Sequence, residues 1–594
     1  MSAVRQGRAR WAIFAVLVVL LGGLGKGVVR AQPATQTKQI AATPHYAITG
    51  VVIDSVHGDP VTHCHLTPSL YARGRYLDRQ SPALTNGFDC DVHGHFSISL
   101  PSAGAWVLNA SARGFVSQGF DEHQTFSSAI VLTAEAPTKD VEFRITPEAS
   151  IVGRVLDEAG EPVRNAQVLL QNVPPASPGG PQPLGGTRSF GRTDDRGMYE
   201  LTDLAPGSYR LSVHATPWYA ANTQVNVGRS DPNTSSPDPS LDFAYPTTWF
   251  PGVSDPAQAE VIVLHAGDVH QSDFHLLPIP SIHMRILAPS AANNGPNGSR
   301  VPMFPLIQPI SSGLGGQPFV QVTTRFDAQG QIDVGGLTPG TYQVRLNGPN
   351  QEGHSVVVEV NANSVRTLDF NSPSRDTARI TLHFEGLPEL ESNSRPERNG
   401  GVQVTLIDRD TQHGTFFSNG GGNGINFGRG EAREPGADRV MEVPPGRYEV
   451  VLQGRPNIFL TGLTAKKAET AGRYVTVGSG ESSLTVHVAS GRASLSGIAT
   501  LEGQPVEGAM VLLVPVTIED PNSITVLQRE QTNTDGSFDL INIIPGQYIL
   551  VVIDHGWEIN WGDPSTLRRY LMQGVPLELK SLAVVKQNVT AQVP

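Results

Sequence analysis

SIVGRVLDEAGEPVRNAQVLLQN (residues 150–172) and TDDRGMYELTDLAPGSYRLSV (residues 193–213) decide the fold. In the first stretch apolar residues alternate, break at Asp157-Glu158-Ala159-Gly160 and resume at Ala166, Val168 and Leu170. That is strand, turn, strand. In the second, Thr193 to Gly197 is turn chemistry, Tyr199 and Leu201 alternate, Pro206-Gly207 turns the chain again, and Tyr209, Leu211 and Val213 alternate once more. Four short antiparallel strands bury one apolar face only. Further strands, supplied by the residues up to about Pro278, have to close a two-sheet sandwich.

The same phrase recurs. SLSGIATLEGQPVEGAMVLL (494–513) repeats the first hairpin and TNTDGSFDLINIIPGQYILVV (532–552) the second. ITGVVIDSVHGDPV (48–61) and CDVHGHFSISLPSAGAWVLNA (90–110) do so near the N-terminus, with Ala103-Gly104-Ala105-Trp106 where the others have Pro-Gly-x-Tyr. FDAQGQIDVGGLTPGTYQVRL (326–346) and MEVPPGRYEVVL (441–452) are more worn copies. The expectation is an all-β chain: a tandem array of five Ig-like or prealbumin-like β-sandwiches at roughly 46–147, 148–277, 278–373, 374–488 and 489–594. One short helix is expected near the C-terminus, where Asp563 caps, Pro564 opens and Gly574 follows STLRRYLMQ. Trp557, Trp561 and Tyr570 flank it and suggest an aromatic lid.

Composition agrees. A chain of 594 residues is too long for one core, and its 62 Gly and 46 Pro are what many turns require. Charged residues make up only 16%, a surface that leans extracellular. Arg5, Arg8 and Arg10 precede the apolar run Trp11 to Gly25, and Val29-Arg30-Ala31 offers small residues for cleavage. Residues 1–31 therefore read as a signal peptide, followed by a linker at 32–45, with no membrane span after cleavage. Residues 1–31 carry five Lys/Arg and no Asp/Glu, so the exported chain has 38 basic against 55 acidic residues, a net charge of −17. Nucleic acid and anionic membrane surfaces are poor partners for it.

The phrase G-x-V-x-D-x-x-G-x-P-V-x-x-A-x-V-x-L, then T-D-x-x-G-x-F/Y-x-L, then L-x-P-G-x-Y-x-L, resembles the carboxypeptidase regulatory-like domain, a prealbumin-like or starch-binding-like sandwich. The tandem arrangement behind a signal segment is similar to large exported proteins common in Acidobacteria. That resemblance implies the fold firmly and links the chain loosely to carbohydrate-binding modules.

Catalysis finds little footing. The H-x-x-E triplet His555-Gly556-Trp557-Glu558 has no histidine after it to complete a zinc site, and H-E-x-x-H, G-x-S-x-G and phosphate-binding loops are missing from the sequence. Asp-rich turns such as RTDDRG and NTDGS fit hairpin chemistry better than calcium loops. The reading is therefore non-catalytic, with no cofactor and no metal. The two cysteines, Cys64 and Cys90, fall in one unit of an exported chain and suggest a disulfide between adjacent strands, at the places of Ala166 and Thr193. The rival reading joins them with His63, His65, His93 and His95 as metal ligands, without any recognised ligand spacing.

After the fourth strand of unit two, Trp218, Tyr219, Phe243, Tyr245, Trp249 and Phe250 follow within 33 residues. Exposed, coplanar aromatics would stack sugar rings; buried ones would pin a long loop to its own sandwich. Trp218, Tyr219, Tyr245 and Trp249 are the candidate carbohydrate contacts. Long intervals at 67–89, 173–191, 303–322 and 408–430 are candidate recognition loops. The partner classes are thus a polysaccharide or, for a spacer role, a cell-envelope protein. Isopeptide locking of the pilin kind needs a lysine, and none lies between Lys139 and Lys466.

Overall fold

The computed structural model describes residues 45–72, 75–76, 87–173, 187–220, 239–287, 304–309, 322–326, 331–347, 355–361, 366–370, 377–386, 402–408, 414–417, 439–453, 457–517, 524, 527–559 and 563–594. The expected signal segment, all of the linker but His45, Trp561 and most of the long intervals lie outside them.

One strand order recurs. The opening strands Tyr46–Asp54, Ala149–Leu156, Ile282–Leu287, Ala378–Glu385 and Ala493–Leu501 each run antiparallel to a strand of the second hairpin, His95–Leu100, Met198–Leu204, Ile332–Leu337, Arg439–Val443 and Ser537–Ile543. Each opening strand also runs parallel to a closing strand, Thr138–Ile145 in the first sandwich and Gly480–Ser490 in the fourth. In the second and fifth the closing strand is broken in two, Val269–Gln271 with Phe274–His275 and Val584–Lys586 with Val589–Thr590. The facing sheets centre on the pairs His65–Ala72 with Gly104–Ala112, Gln167–Asn172 with Gly207–His214, Phe304–Pro309 with Gly340–Asn347, Gln403–Asp408 with Gly446–Gln453 and Met510–Pro515 with Gly546–Ile553. The chain is a tandem array of β-sandwiches, as the repeats require.

Alternation fixes which side chains meet. In His95–Leu100 every second residue is buried, so Phe96, Ile98 and Leu100 enter a core with Ile48, Leu66, Trp106 and Phe143. Equivalent cores gather around Ile151, Leu170 and Phe274, around Met284 and Val344, around Ile380 and Leu406, and around Leu495 and Leu550.

Two short phrases of the sequence acquire a physical reason. In Pro-Gly-x-Tyr the tyrosine hydroxyl donates to the carbonyl four residues upstream: Tyr209 to Ala205 at 2.6 Å, Tyr342 to Thr338 at 2.8 Å, Tyr448 to Pro444 at 2.7 Å and Tyr548 to Ile544 at 2.6 Å. Such tyrosine corners satisfy a carbonyl that the turn leaves without a ladder partner. In the first sandwich the Trp106 indole N–H does the same for Ser102 at 3.2 Å. The glycine of the opening strand answers a close approach. A Cβ on Gly153 would lie 1.8 Å from the Ser272 carbonyl oxygen, where the closing strand breaks. Gly50 and Gly497 face Val141 and Gln587 in the same way, at 1.9 Å each.

The sandwiches are joined by more than linkers. Ser355–Val360 of the third meets Arg439–Val443 of the fourth at Val356 and Glu442, so one seven-stranded sheet runs through both. Between the second and third, His283 sits between Asp242, 2.7 Å from Nε2, and Asp333, 3.0 Å from Nδ1. In the fifth sandwich Met510–Pro515 is buried on both faces. Its outer face is covered by Trp557 and by the helix Pro564–Leu571, whose Leu567 and Tyr570 are buried against Met510 and Leu512. Asp563 caps that helix by accepting from the Ser565 N–H at 3.0 Å.

Candidate functional site

The first turn of the second sandwich positions the site. Asp157 Oδ1 accepts the backbone N–H groups of Ala159 and Glu161 at 2.9 and 2.8 Å, and Gly160 takes φ = +80°, which closes the turn and leaves Glu158 at its tip. Two tyrosines reach that carboxylate. The Tyr219 hydroxyl donates to Oε1 at 2.6 Å and the Tyr245 hydroxyl to Oε2 at 2.7 Å. Burial works to raise the Glu158 pKa, but the two donors outweigh it and hold the carboxyl below its usual range. Burial and the same hydrogen bond push Tyr219 up to about 12 and Tyr245 further in the same direction. Both phenols therefore stay protonated donors at any physiological pH.

The rings divide into two groups. Trp218 is 80% exposed and stands edge-on to Tyr219, with centroids 5.7 Å apart and planes at 85°. Tyr219 in turn meets Phe243 at 6.4 Å and 73°. Tyr245 and Trp249 are buried at 6% and 4% exposure. Trp249 lies in a strand, Thr248–Trp249, paired with Ser212 and Val213, and Tyr245 belongs to the core. Phe250 packs against Phe274 at 6.0 Å. Of the two alternatives the sequence left open, burial of Tyr245 and Trp249 fits aromatics that pin the loop to its own sandwich, and among the four candidate contacts Trp218, supported by Tyr219, is the ring that faces solvent. Sequence reading missed Glu158 altogether, because its tyrosines lie 61 and 87 positions away and the turn had absorbed it.

Cys64 and Cys90 are joined as a disulfide, with Cα atoms 5.2 Å apart, and the Cys90 N–H donates to the Cys64 carbonyl at 2.8 Å. His65 pairs with Asp89 at 2.8 Å. Among the described residues no group of three His, Cys, Asp or Glu side chains is placed to hold a metal ion.

The mixed sheet and tyrosine corner define a class, the prealbumin-like β-sandwich in tandem, and one stretch of the chain matches a family model. Residues 150–236 match the carboxypeptidase regulatory-like domain. No curated protein matches the chain by sequence. Among solved structures, the Bacillus anthracis TIE protein aligns over 93% of this chain and 76% of its own at 11% identity and a TM-score of 0.15. The shaft pilin SpaA from Lactobacillus rhamnosus GG aligns over 40% and 98% at 12% identity and 0.19. A streptococcal ancillary pilin aligns over 55% and 98% at 12% and 0.17. At such scores the strand pairing described above, and not these alignments, carries the fold.

Proposed function

We propose that this chain is an exported, non-catalytic array of β-sandwiches, divided at about residues 147, 277, 373 and 488, that binds polysaccharide through the second sandwich. The observation that carries the reading is Trp218, 80% exposed yet held by Tyr219 and, through it, by Glu158. A sugar ring presents an apolar C–H face to such an indole and hydroxyls to its side. Glu158 keeps lone pairs free to accept those hydroxyls after its two tyrosine bonds are made. A preorganised ring costs little entropy on binding. The regulatory-like character of the matched family supports a binding role over a catalytic one. Export rests on residues 1–31, and no helix among the described residues is long and apolar enough to cross a membrane.

Retention of the chain from Gln32 onward on a panel of insoluble polysaccharides tests this. At least one glycan should retain it, and Trp218→Ala should weaken that binding at least tenfold, about 1.4 kcal/mol, with unchanged circular dichroism. Retention on none, or equal retention of the variant, refutes the reading; in that case an envelope protein becomes the partner to seek.

A further inference from the structure

The two ends of the array touch. In the first sandwich, Phe120–Ser128 folds back on itself, with His123 and Phe126 exchanging backbone hydrogen bonds at 2.7 and 3.0 Å. Asp121, Gln124 and Thr125 all take positive φ, at +52°, +51° and +76°. For a β-branched residue such as Thr125 that conformation is costly and persists only where surrounding contacts impose it. The fifth sandwich lies against this turn, at Gln124 through Arg529 and at His123 and Phe126 through Trp557. Its edge strand Gln528–Gln531 pairs with Met510–Leu513 so that Arg529 and Gln531 lie on the outer face with Leu512 and Met510.

The junction is built mainly from hydrogen bonds. The Ala129 N–H donates to Asn533 Oδ1 at 2.9 Å, the Thr534 N–H to the Ala129 carbonyl at 3.1 Å and the Val131 N–H to Thr534 Oγ1 at 2.9 Å. Ser128 Oγ donates to the Thr532 carbonyl at 2.8 Å, and Gln531 Nε2 reaches the Asp121 carbonyl at 2.5 Å. Arg529 reaches Gln124 Oε1 at 2.7 Å and lies over the Phe126 ring at 5.2 Å. Phe126 and His123 both stack on Trp557, at 5.4 and 5.8 Å. Ser128, Gln531 and Thr532 are buried to 1% exposure or less.

We infer that these surfaces form an intramolecular clasp, the fifth sandwich being the partner of the first, which closes the array end to end and loosens as pH rises. The junction is polar and hydrogen-bonded, unlike the continuous sheet between the third and fourth sandwiches. That makes it separable without unfolding either side. The chain between the two ends raises their effective concentration, so modest contacts suffice to keep them closed.

The pH dependence follows from two carboxyls at the contact, Asp121, which packs against Gly508, and the more exposed Glu507. Asp121 packs so tightly that a Cβ on Gly508 would come within 2.4 Å of its Oδ2. Burial raises its pKa, against the opposing pull of His123, the Ser128 hydroxyl and His555. Glu507 of the fifth sandwich is raised by burial and by Asp121, against the pull of Lys139 from the first. Glu122, Arg529, Asp535 and Asp554 are further charged groups at or next to the contact, as is Glu530, which accepts the Gln531 N–H and is pushed up to about 7 by burial. A carboxyl whose pKa is raised on closure takes up protons as the clasp forms. Its support is complete at low pH and is lost as pH rises above the ordinary carboxylate range of about 4.

Hydrogen exchange of the whole chain from Gln32 reads this directly, because the Ala129, Val131 and Thr534 amides donate across the junction. After correction for intrinsic rates, peptides covering 127–132 and 530–536 should be most protected at pH 4 and lose protection as pH is raised to 7. Phe126→Ala should release both peptides together while Tyr46–Asp54 and Gly546–Ile553 stay protected. Should Phe126→Ala unfold the first sandwich, Gln531→Ala, which removes only polar bonds, gives the same reading. Asp121→Asn, which tolerates the left-handed backbone, should flatten the pH profile. Unprotected junction peptides in the unsubstituted chain, release of one end alone, or protection that holds or grows with pH would each overturn the inference. So would protection that depends on protein concentration together with a doubled mass, since the surfaces would then pair two copies.

Discussion

The first and second sandwiches close the same loop with different chemistry. In the second, the buried Thr193 hydroxyl donates to the Val163 carbonyl at 2.6 Å and accepts the Ala166 N–H at 2.9 Å, while the Thr193 N–H donates back to the Ala166 carbonyl at 3.0 Å. The fifth repeats this with Thr532, Val506 and Ala509 at 2.7, 2.8 and 3.0 Å. In the first, Cys90 stands where the threonine stands and Cys64 where the alanine does. The backbone bond between them persists at 2.8 Å, and a disulfide replaces the hydroxyl crossbar. A threonine crossbar works in any compartment, but a disulfide holds only where thiols are oxidised. Stability of the first sandwich is therefore tied to an oxidising environment and that of the second and fifth is not.

The comparison breaks most visibly by removing the disulfide. Cys64→Ala with Cys90→Ala frees a loop closed over a sequence separation of 26 and should cost the first sandwich about 3.5 kcal/mol. Reductant should reproduce that loss, seen as faster exchange across Tyr46–Asp54 with no change in the second and fifth sandwiches. Cys64→Ala with Cys90→Thr transplants the crossbar of the second sandwich and should recover about 1 kcal/mol. On the other side, Thr193→Val keeps the shape but strands a buried carbonyl and a buried N–H. It should lower the denaturation midpoint of the second sandwich by an amount worth about 2 kcal/mol, insensitive to reductant. The smallest effect belongs to Tyr209→Phe, which loses one corner hydrogen bond and about 1 kcal/mol in the same titration.

Much of this was legible in the residues. Alternation around Ile151, Tyr199 and Leu211 marks the strands, and aligning the copies places Cys90 on Thr193 before any coordinates are seen. The Asp563-Pro564 start of the helix is equally plain. Other features carry no local signal. The edge strand Thr187–Arg192 overlaps the end of an interval that composition marks as loop, because an edge strand needs no apolar alternation. Trp106 marks the place of a tyrosine corner, yet only geometry reveals that an indole N–H serves in place of a hydroxyl. Trp218 and Trp249 read alike in sequence, since aromatics are at home both in cores and at binding surfaces. Glu158 and the clasp join residues far apart in the chain, and no spacing rule reaches them.

The most direct test of the binding account follows the indole N–H resonances of the chain from Gln32 onward while a retained oligosaccharide is titrated in. The signal that disappears in Trp218→Ala should shift on binding, whereas those of Trp106, Trp249 and Trp557, all under 10% exposed, should stay in place. Binding that leaves the Trp218 signal unmoved would contradict the account.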